Sequence, residues 1–199
     1  MPGKKPTVVC ILAGGQSQRM GRDKSRLRLG RRTLVGHLRA TVKELGWPVR
    51  VLRRDLVERC GPLGGIYTAL RTTRAEVVMF LACDMPFVSS AWLQQLRSAL
   101  RMKDHAVFTV ANDRVGFPLI LRRGVLETVK EQMSAGKLSL QDLALGTRGR
   151  KLCQPAARAG EALNINLPAD WLMAVERLEW LRRESLDHEK RAKRDGWLV

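Results

Sequence analysis

The 199-residue sequence is poor in the side chains that most often announce a cofactor or a nucleic-acid site. Aromatic residues make up 5% of it, with a single tyrosine and four phenylalanines, which leaves little material for stacking bases. No helix-turn-helix or RNA-binding signature is present, so specific nucleic-acid recognition is not expected. Three histidines, His37, His105 and His188, give little for a histidine-based site and read as surface or cap residues. The four cysteines, Cys10, Cys60, Cys83 and Cys153, are scattered and make no C-x-x-C pair, which argues against zinc. Cys10 and Cys83 lie in or beside apolar runs and read as buried free thiols. No apolar run approaches the roughly 18 residues of a membrane helix, and the opening M-P-G-K-K-P-T lacks the apolar core of a secretory signal. The expected location is cytoplasmic, with no membrane partner. Repeats, low-complexity blocks and Pro/Gly/Ser linkers are absent. A single domain over residues 1–199 is therefore expected, with about 171–199 forming a C-terminal helix and basic tail.

Positive charge is abundant and uneven. The net charge is +17, and residues 1–60 carry 15 Lys/Arg against 4 Asp/Glu. That balance suits a polyanionic ligand, either nucleic acid or a small polyphosphate; a solvated basic surface is the plain alternative.

Apolar patterning sets the fold class. Thr7–Ala13 and Val77–Ala82 are continuous apolar runs bounded by turn residues and read as buried parallel strands. Residues 14–33 read as a long polar loop. Leu34–Leu45 has helical spacing and stops at Gly46, Val49–Leu52 is a short strand, and Gly64–Leu70 opens a helix. Ser90 reads as the N-cap of a helix to about Arg101, and Ala106–Val110 with Phe117–Leu121 as a hairpin around A-N-D-R-V-G. Gly124–Ala135 and Ser139–Leu145 are helical, Leu163–Asn166 a short strand end, and Pro168 the first turn of a helix to about His188. Strands alternating with helices predict an α/β fold with a mostly parallel sheet. Ligands of such sheets bind at the carboxyl ends of strands, here the tips A-G-G and A-C-D-M-P.

The first tip continues into G-G-Q-S-Q-R-M-G-R-D-K, residues 14–24. It matches neither G-x-x-x-x-G-K-[ST] nor G-x-G-x-x-G, yet it holds the parts of a phosphate cradle. Gly14 and Gly15 let backbone N–H groups approach a ligand, Ser17 offers a hydroxyl, and Arg19 and Lys24 can neutralise phosphate oxygens. A tight turn with surface cations is the other reading. At the second tip, Asp84 reads either as a cation ligand or as a turn aspartate. Asp55 could simply pair with Arg53 or Arg54, and Asn164/Asn166 could be a capping device ahead of Pro168.

The stretch L-A-G-G-Q-S-Q-R-M-G-R-D-K resembles the signature L-A-G-G-x-S-x-R-M-G-x-D-K of the nucleotidyltransferases, and within them the molybdenum cofactor guanylyltransferases. G-P-L-G-G-I at 61–66, A-C-D-M-P-F at 82–87, G-F-P-L at 116–119 and N-I-N-L-P-A-D at 164–170 are similar to further motifs of that family, in the family's order. The resemblance implies a three-layer αβα, Rossmann-like nucleotidyltransferase fold. It implies that Leu12, Ala13 and Gly14 line the base and ribose, and that Gly15, Ser17, Arg19 and Lys24 serve the triphosphate. Asp55 would lie in the nucleotide pocket, Asp84 would bind Mg²⁺, and Asn164 and Asn166 would face the acceptor. Arg19, Lys24 and Asp84 would be the catalytic set. The implied reaction moves GMP from GTP to the terminal phosphate of molybdopterin with release of pyrophosphate. A molybdoenzyme or chaperone would receive the dinucleotide cofactor.

The sequence departs from the family at three places. Residues 46–60 have room for one strand, V-R-V-L, where the family has two strands and a helix, and no asparagine occurs before Asn112 to read a guanine edge. Leu167 replaces the family's threonine in the last motif, and the final helix is longer and more basic. A related transferase using CTP or another phosphorylated acceptor, and a non-catalytic cofactor-binding and delivery protein, therefore stand beside the main reading.

Overall fold

The computed structural model describes residues 7–14, 27–57 and 60–194. In chain order the elements are β1 (Thr7–Leu12), β2 (Arg28–Leu29), β3 (Arg32–Thr33), α1 (Leu34–Glu44), β4 (Val49–Leu52), α2 (Gly61–Thr72), β5 (Val77–Ala82) and α3 (Ser90–Ala99). They continue with β6 (Ala106–Ala111), β7 (Arg114–Arg122), α4 (Leu126–Ser134), α5 (Leu140–Gly146), β8 (Arg150–Cys153) and α6 (Pro168–Arg194). Short 3₁₀ turns occupy Arg123–Val125 and Ala156–Ala162.

Six strands form one sheet in the order β4-β1-β5-β7-β6-β8. The β4–β1, β1–β5 and β6–β8 pairs are parallel; only β7 runs against the rest. Strand periodicity divides the core between two faces. Val9, Ile11, Val77, Met79, Leu81 and Ile120 pack with Val35, Leu38, Trp92 and Leu96 of α1 and α3. Cys10, Val78, Phe80, Phe108, Leu119 and Leu121 pack on the opposite side with Ile66 of α2, Val129 of α4 and Leu143 of α5. The result is the expected α/β sandwich of three layers. Burial pushes the Cys10 thiol up to about 11, so it sits in the core as a small hydrophobe.

From β1 the chain crosses to β4 on one side, then returns to β5 on the other. The carboxyl end of β1 is thus a topological switch point, where an open sheet leaves a crevice. A third apolar group, Leu29, Leu34, Ile165 and Ala174, docks α6 and the β2–β3 ribbon over this end of the sheet.

Several boundaries differ from the sequence reading. The N-cap of α3 is Ser89, not Ser90: its Oγ accepts the Trp92 N–H at 3.2 Å. Helix α2 begins at Gly61, with Pro62 in its first turn where a missing N–H costs nothing. The described end of the polar loop carries the β2–β3 ribbon. Leu163–Asn166 is extended but, among the described residues, pairs with no strand, and the last strand of the sheet is instead β8. Helix α6 runs on to Arg194, past the expected stop near His188. Helix α1 ends as expected: Gly46 has φ +64° and its N–H donates to the Lys43 carbonyl.

One buried hydroxyl ties α3 to the β6–β7 hairpin. Thr109 Oγ1 donates to the Pro118 carbonyl at 2.6 Å and accepts from the Trp92 indole N–H at 3.3 Å, where the register shifts between Phe108 and Thr109. Thr109→Val keeps the shape and leaves both partners unpaired, so it should cost about 1–3 kcal/mol. The urea midpoint should fall with the slope unchanged; an unmoved midpoint would show that these bonds contribute nothing.

Candidate active site

The switch-point crevice is built from the tip of β1, the loop after β4 and the first turn of α2. Ala13 N–H donates to the Leu52 carbonyl at 2.7 Å, which carries the β1–β4 pairing one residue past the strand. A Cβ on Gly14 would lie 3.2 Å from the Arg53 carbonyl oxygen, tighter than an ordinary contact, so glycine eases the close approach of that loop to the strand tip. Cβ atoms on Gly64 and Gly65 would lie 3.1 Å from Asp55 Oδ2 and from both Leu12 Cδ atoms, respectively. The G-G of G-P-L-G-G therefore admits the Asp55 carboxylate and the Leu12 side chain against α2. Thr68 fixes the loop: its hydroxyl donates to the Gly64 carbonyl and accepts the Leu56 N–H, each at 2.8 Å.

Asp55 thus lies between the β1 tip and α2. Among the described residues no cation pairs with it, so the alternative of an ion pair with Arg53 or Arg54 does not hold. Desolvation alone shifts its carboxyl, upward from the usual carboxylate range. Leu12 packs with the α2-side core and Ala13 with the α1-side core. Gly15, Ser17, Arg19 and Lys24 lie outside the described residues.

Asp84 follows the neighbouring strand. Cys83 N–H donates to the Leu12 carbonyl at 3.1 Å, which fixes the β5 tip beside the β1 tip. The Asp84 carbonyl accepts the Ile165 N–H at 2.9 Å. Ile165 is fully buried in the third apolar group, so the extended backbone turns its neighbours, Asn164 and Asn166, the other way. Both asparagines line a cleft of about 450 Å³ together with Asp84. The cap of α6 does not consume their side chains: Asp170 Oδ2 accepts the Asn166 and Leu167 N–H groups, each at 2.8 Å.

The strap carrying the asparagines is clamped upstream. Glu161 Oε2 accepts the Ser89 N–H at 3.1 Å and the Ser89 hydroxyl at 2.8 Å, while Arg158 donates to Ser89 Oγ at 2.9 Å and to Glu161 Oε1 at 3.1 Å. On the far side Arg177 of α6 lies over the Phe87 ring, 5.5 Å from its centroid. The cleft wall from the β6–β7 hairpin holds Asn112, Arg114 and Phe117, to which the sequence reading gave no site role. The turn pair Asn112-Asp113, with φ of 49° and 58°, was the available signal. No histidine lines the cleft; His37 hydrogen-bonds the Leu29 carbonyl at 2.8 Å in a structural role.

A carboxylate at one strand tip and a pair of amides on the strap beside it line one cleft, next to a glycine-opened crevice at the adjoining tip, and comparison with known proteins gives the class, a nucleotidyltransferase. The match to known proteins is specific. The MobA-like NTP transferase domain family covers residues 9–58 and 39–149, and the chain belongs to that family. It is 32% identical over 200 aligned positions to a probable molybdenum cofactor guanylyltransferase of Opitutus terrae, covering 91% of this chain and 93% of the relative. It is 31% identical over 179 positions to the molybdenum cofactor guanylyltransferase of Pseudomonas entomophila, covering 80% and 93%. Among solved structures, the molybdopterin-guanine dinucleotide biosynthesis protein A of Archaeoglobus fulgidus superposes with a TM-score of 0.67 at 18% identity, over 86% of this chain and 98% of that one. The 4-diphosphocytidyl-2C-methyl-D-erythritol synthase of Anaerococcus prevotii does so at 0.69 and 13%, over 89% and 100%. These last two likenesses show the shared fold.

The position of Asp55 makes a test. A carboxyl whose pKa is raised by folding favours the native state only in acid, and that contribution is lost as pH rises through its folded value. At neutral pH its charge is a small liability. Asp55→Asn should therefore melt at or slightly above the wild-type temperature at pH 7, and the difference should vanish in acid where Asp55 is protonated in both states. A lower melting temperature at pH 7 would mean that the carboxylate makes a stabilising bond.

Proposed function

We propose that the protein transfers GMP from GTP to the terminal phosphate of molybdopterin, releasing pyrophosphate and forming the guanine dinucleotide cofactor. The observation that carries this reading is the juxtaposition of Asp84 with Asn164 and Asn166 on one cleft, one strand away from the Gly14–Asp55 crevice. Two adjoining compartments suit two substrates. The family membership and the relatives' names point the same way.

The chemistry asks little of acid–base groups. A phosphate monoester has a second pKa of about 6, so the acceptor is already ionised at neutral pH and needs no histidine base. The task is to bring anions together in line and to stabilise the departing pyrophosphate. In this proposal Leu12, Ala13, Gly14 and Asp55 seat the nucleoside at the crevice. Gly15, Ser17, Arg19 and Lys24 serve the triphosphate, and Asn164 and Asn166 orient the acceptor over Asp84.

Mg²⁺ fits this donor set. Among the described residues no three His, Cys, Asp or Glu gather into a protein cage. Mg²⁺ is commonly held by one or two carboxylates together with substrate phosphates and water, and Asp84 supplies such a carboxylate, with its Oδ1 buried and accepting no hydrogen bond. Bound there, the cation would neutralise charge on the phosphates.

The test is to incubate the full chain with molybdopterin, Mg²⁺ and each of GTP, CTP, ATP and UTP, and to identify the product by mass. The guanine dinucleotide should form from GTP. Product from CTP alone would overturn the guanine assignment, and no product from any nucleotide would favour the delivery-protein reading. Asp84→Asn and Lys24→Ala should each lower the rate by about a hundredfold or more with the melting temperature kept. Full activity in Asp84→Asn would remove that residue from the mechanism.

A further inference from the structure

The β6–β7 hairpin forms a wall of the cleft for which neither the motifs nor the reaction assign a role. In its register Ala111 faces Arg114 and Thr109 faces Gly116, so these four side-chain positions share one face of the ribbon. All four line the cleft. Thr109 is engaged with Pro118 and Trp92. Ala111 is small, and a Cβ on Gly116 would meet nothing within 4 Å. Gly116 has no left-handed φ, so glycine serves space there rather than backbone conformation. Arg114 is thus the one long side chain on a floor kept low, and it stands at the first pair after a two-residue turn.

Charge sharpens the point. Among the described residues, Asp84 and Arg114 are the two charged ones lining the cleft. Among the described residues no carboxylate pairs with the Arg114 guanidinium. A phosphate monoester of about −1.5 to −2 charge entering this cleft calls for a cation, and among the described lining residues Arg114 supplies it. A guanidinium also offers the paired donors that match a phosphate or carboxylate edge.

We propose that Arg114 is a specificity-determining residue that holds an anionic group of the acceptor, over a seat left open by Gly116. This rests on the acceptor assigned under Proposed function, a phosphorylated pterin. Nucleotide binding, at the crevice on the other side of Asp84, does not use it.

Binding of molybdopterin to the full chain, followed by the ligand's own fluorescence in the absence of nucleotide, tests the seat. A charge-assisted contact of this kind predicts that Arg114→Gln weakens binding by about ten- to a hundredfold. Arg114→Lys should retain part of the affinity. Gly116→Leu, whose Cβ would meet nothing within 4 Å, should block the ligand while the melting temperature stays unchanged. GTP affinity, measured separately, should be the same in all three variants. Wild-type affinity for molybdopterin in Arg114→Gln, an equal loss of GTP affinity, or no molybdopterin binding by the wild type would each overturn the proposal. Should Arg114→Gln lower the melting temperature, Gly116→Leu decides alone. Failure of the transfer reading looks different: the wild type binds both ligands and forms no dinucleotide.

Discussion

The candidate site depends on one main-chain hydrogen bond, from the Ile165 N–H to the Asp84 carbonyl. Among the described residues it is the main-chain bond that ties the strap from Pro155 to Leu167 to the sheet at the β5 tip, where the strap walls the cleft. The bond holds because three other devices hold it. Ile165 is buried with Leu29, Leu34 and Ala174, Glu161 grips Ser89 at the start of α3, and Asp170 caps α6 immediately downstream. Each anchors the strap on a different element. Asn164 and Asn166 are therefore presented on a clamped backbone, which is what orienting an acceptor requires.

The same economy governs the crevice proposed for the nucleotide. Three glycines, Gly14, Gly64 and Gly65, remove the side chains that would separate the β1 tip, the Arg53–Asp55 loop and α2. The room created is used by a carboxylate that folding desolvates rather than stabilises. A group kept at some cost to stability, in a crevice at a topological switch point, is a candidate for binding rather than for holding the fold. The two compartments adjoin because β1 and β5 are direct neighbours and the Cys83–Leu12 bond locks their tips together.

Much of this was legible in the sequence where local chemistry decides the outcome. Buried strands such as V-V-M-F-L-A declare themselves by continuous apolar character, and α1 by its spacing and its terminal Gly46. Asp84, Asn164 and Asn166 could be grouped because the motifs travel together, and the fold brings them to one cleft. What escaped the reading depends on tertiary context. Strand β8, R-K-L-C, is short, lies at an edge and alternates half-buried with exposed positions, so nothing in its composition separates it from a loop. Leu163–Asn166 has the alternation of a strand, but its pattern serves a single anchor residue and it pairs with no neighbour. Ser89 and Ser90 offer the same hydroxyl; the observed cap is the one whose Oγ also meets Glu161 and Arg158, residues some seventy positions away in the chain. Arg114 comes to the cleft through the β6–β7 register, which puts it on one face of the ribbon with Gly116.

The central claim is that the carboxylate at the β5 tip and the crevice at the β1 tip serve one nucleotide. The most direct measurement is a crystal structure of the full chain soaked with GTP and Mn²⁺, read by the manganese anomalous signal. The account predicts a manganese peak beside the Asp84 carboxylate with the nucleotide seated against Gly14. A nucleotide bound with its metal away from Asp84 would contradict it.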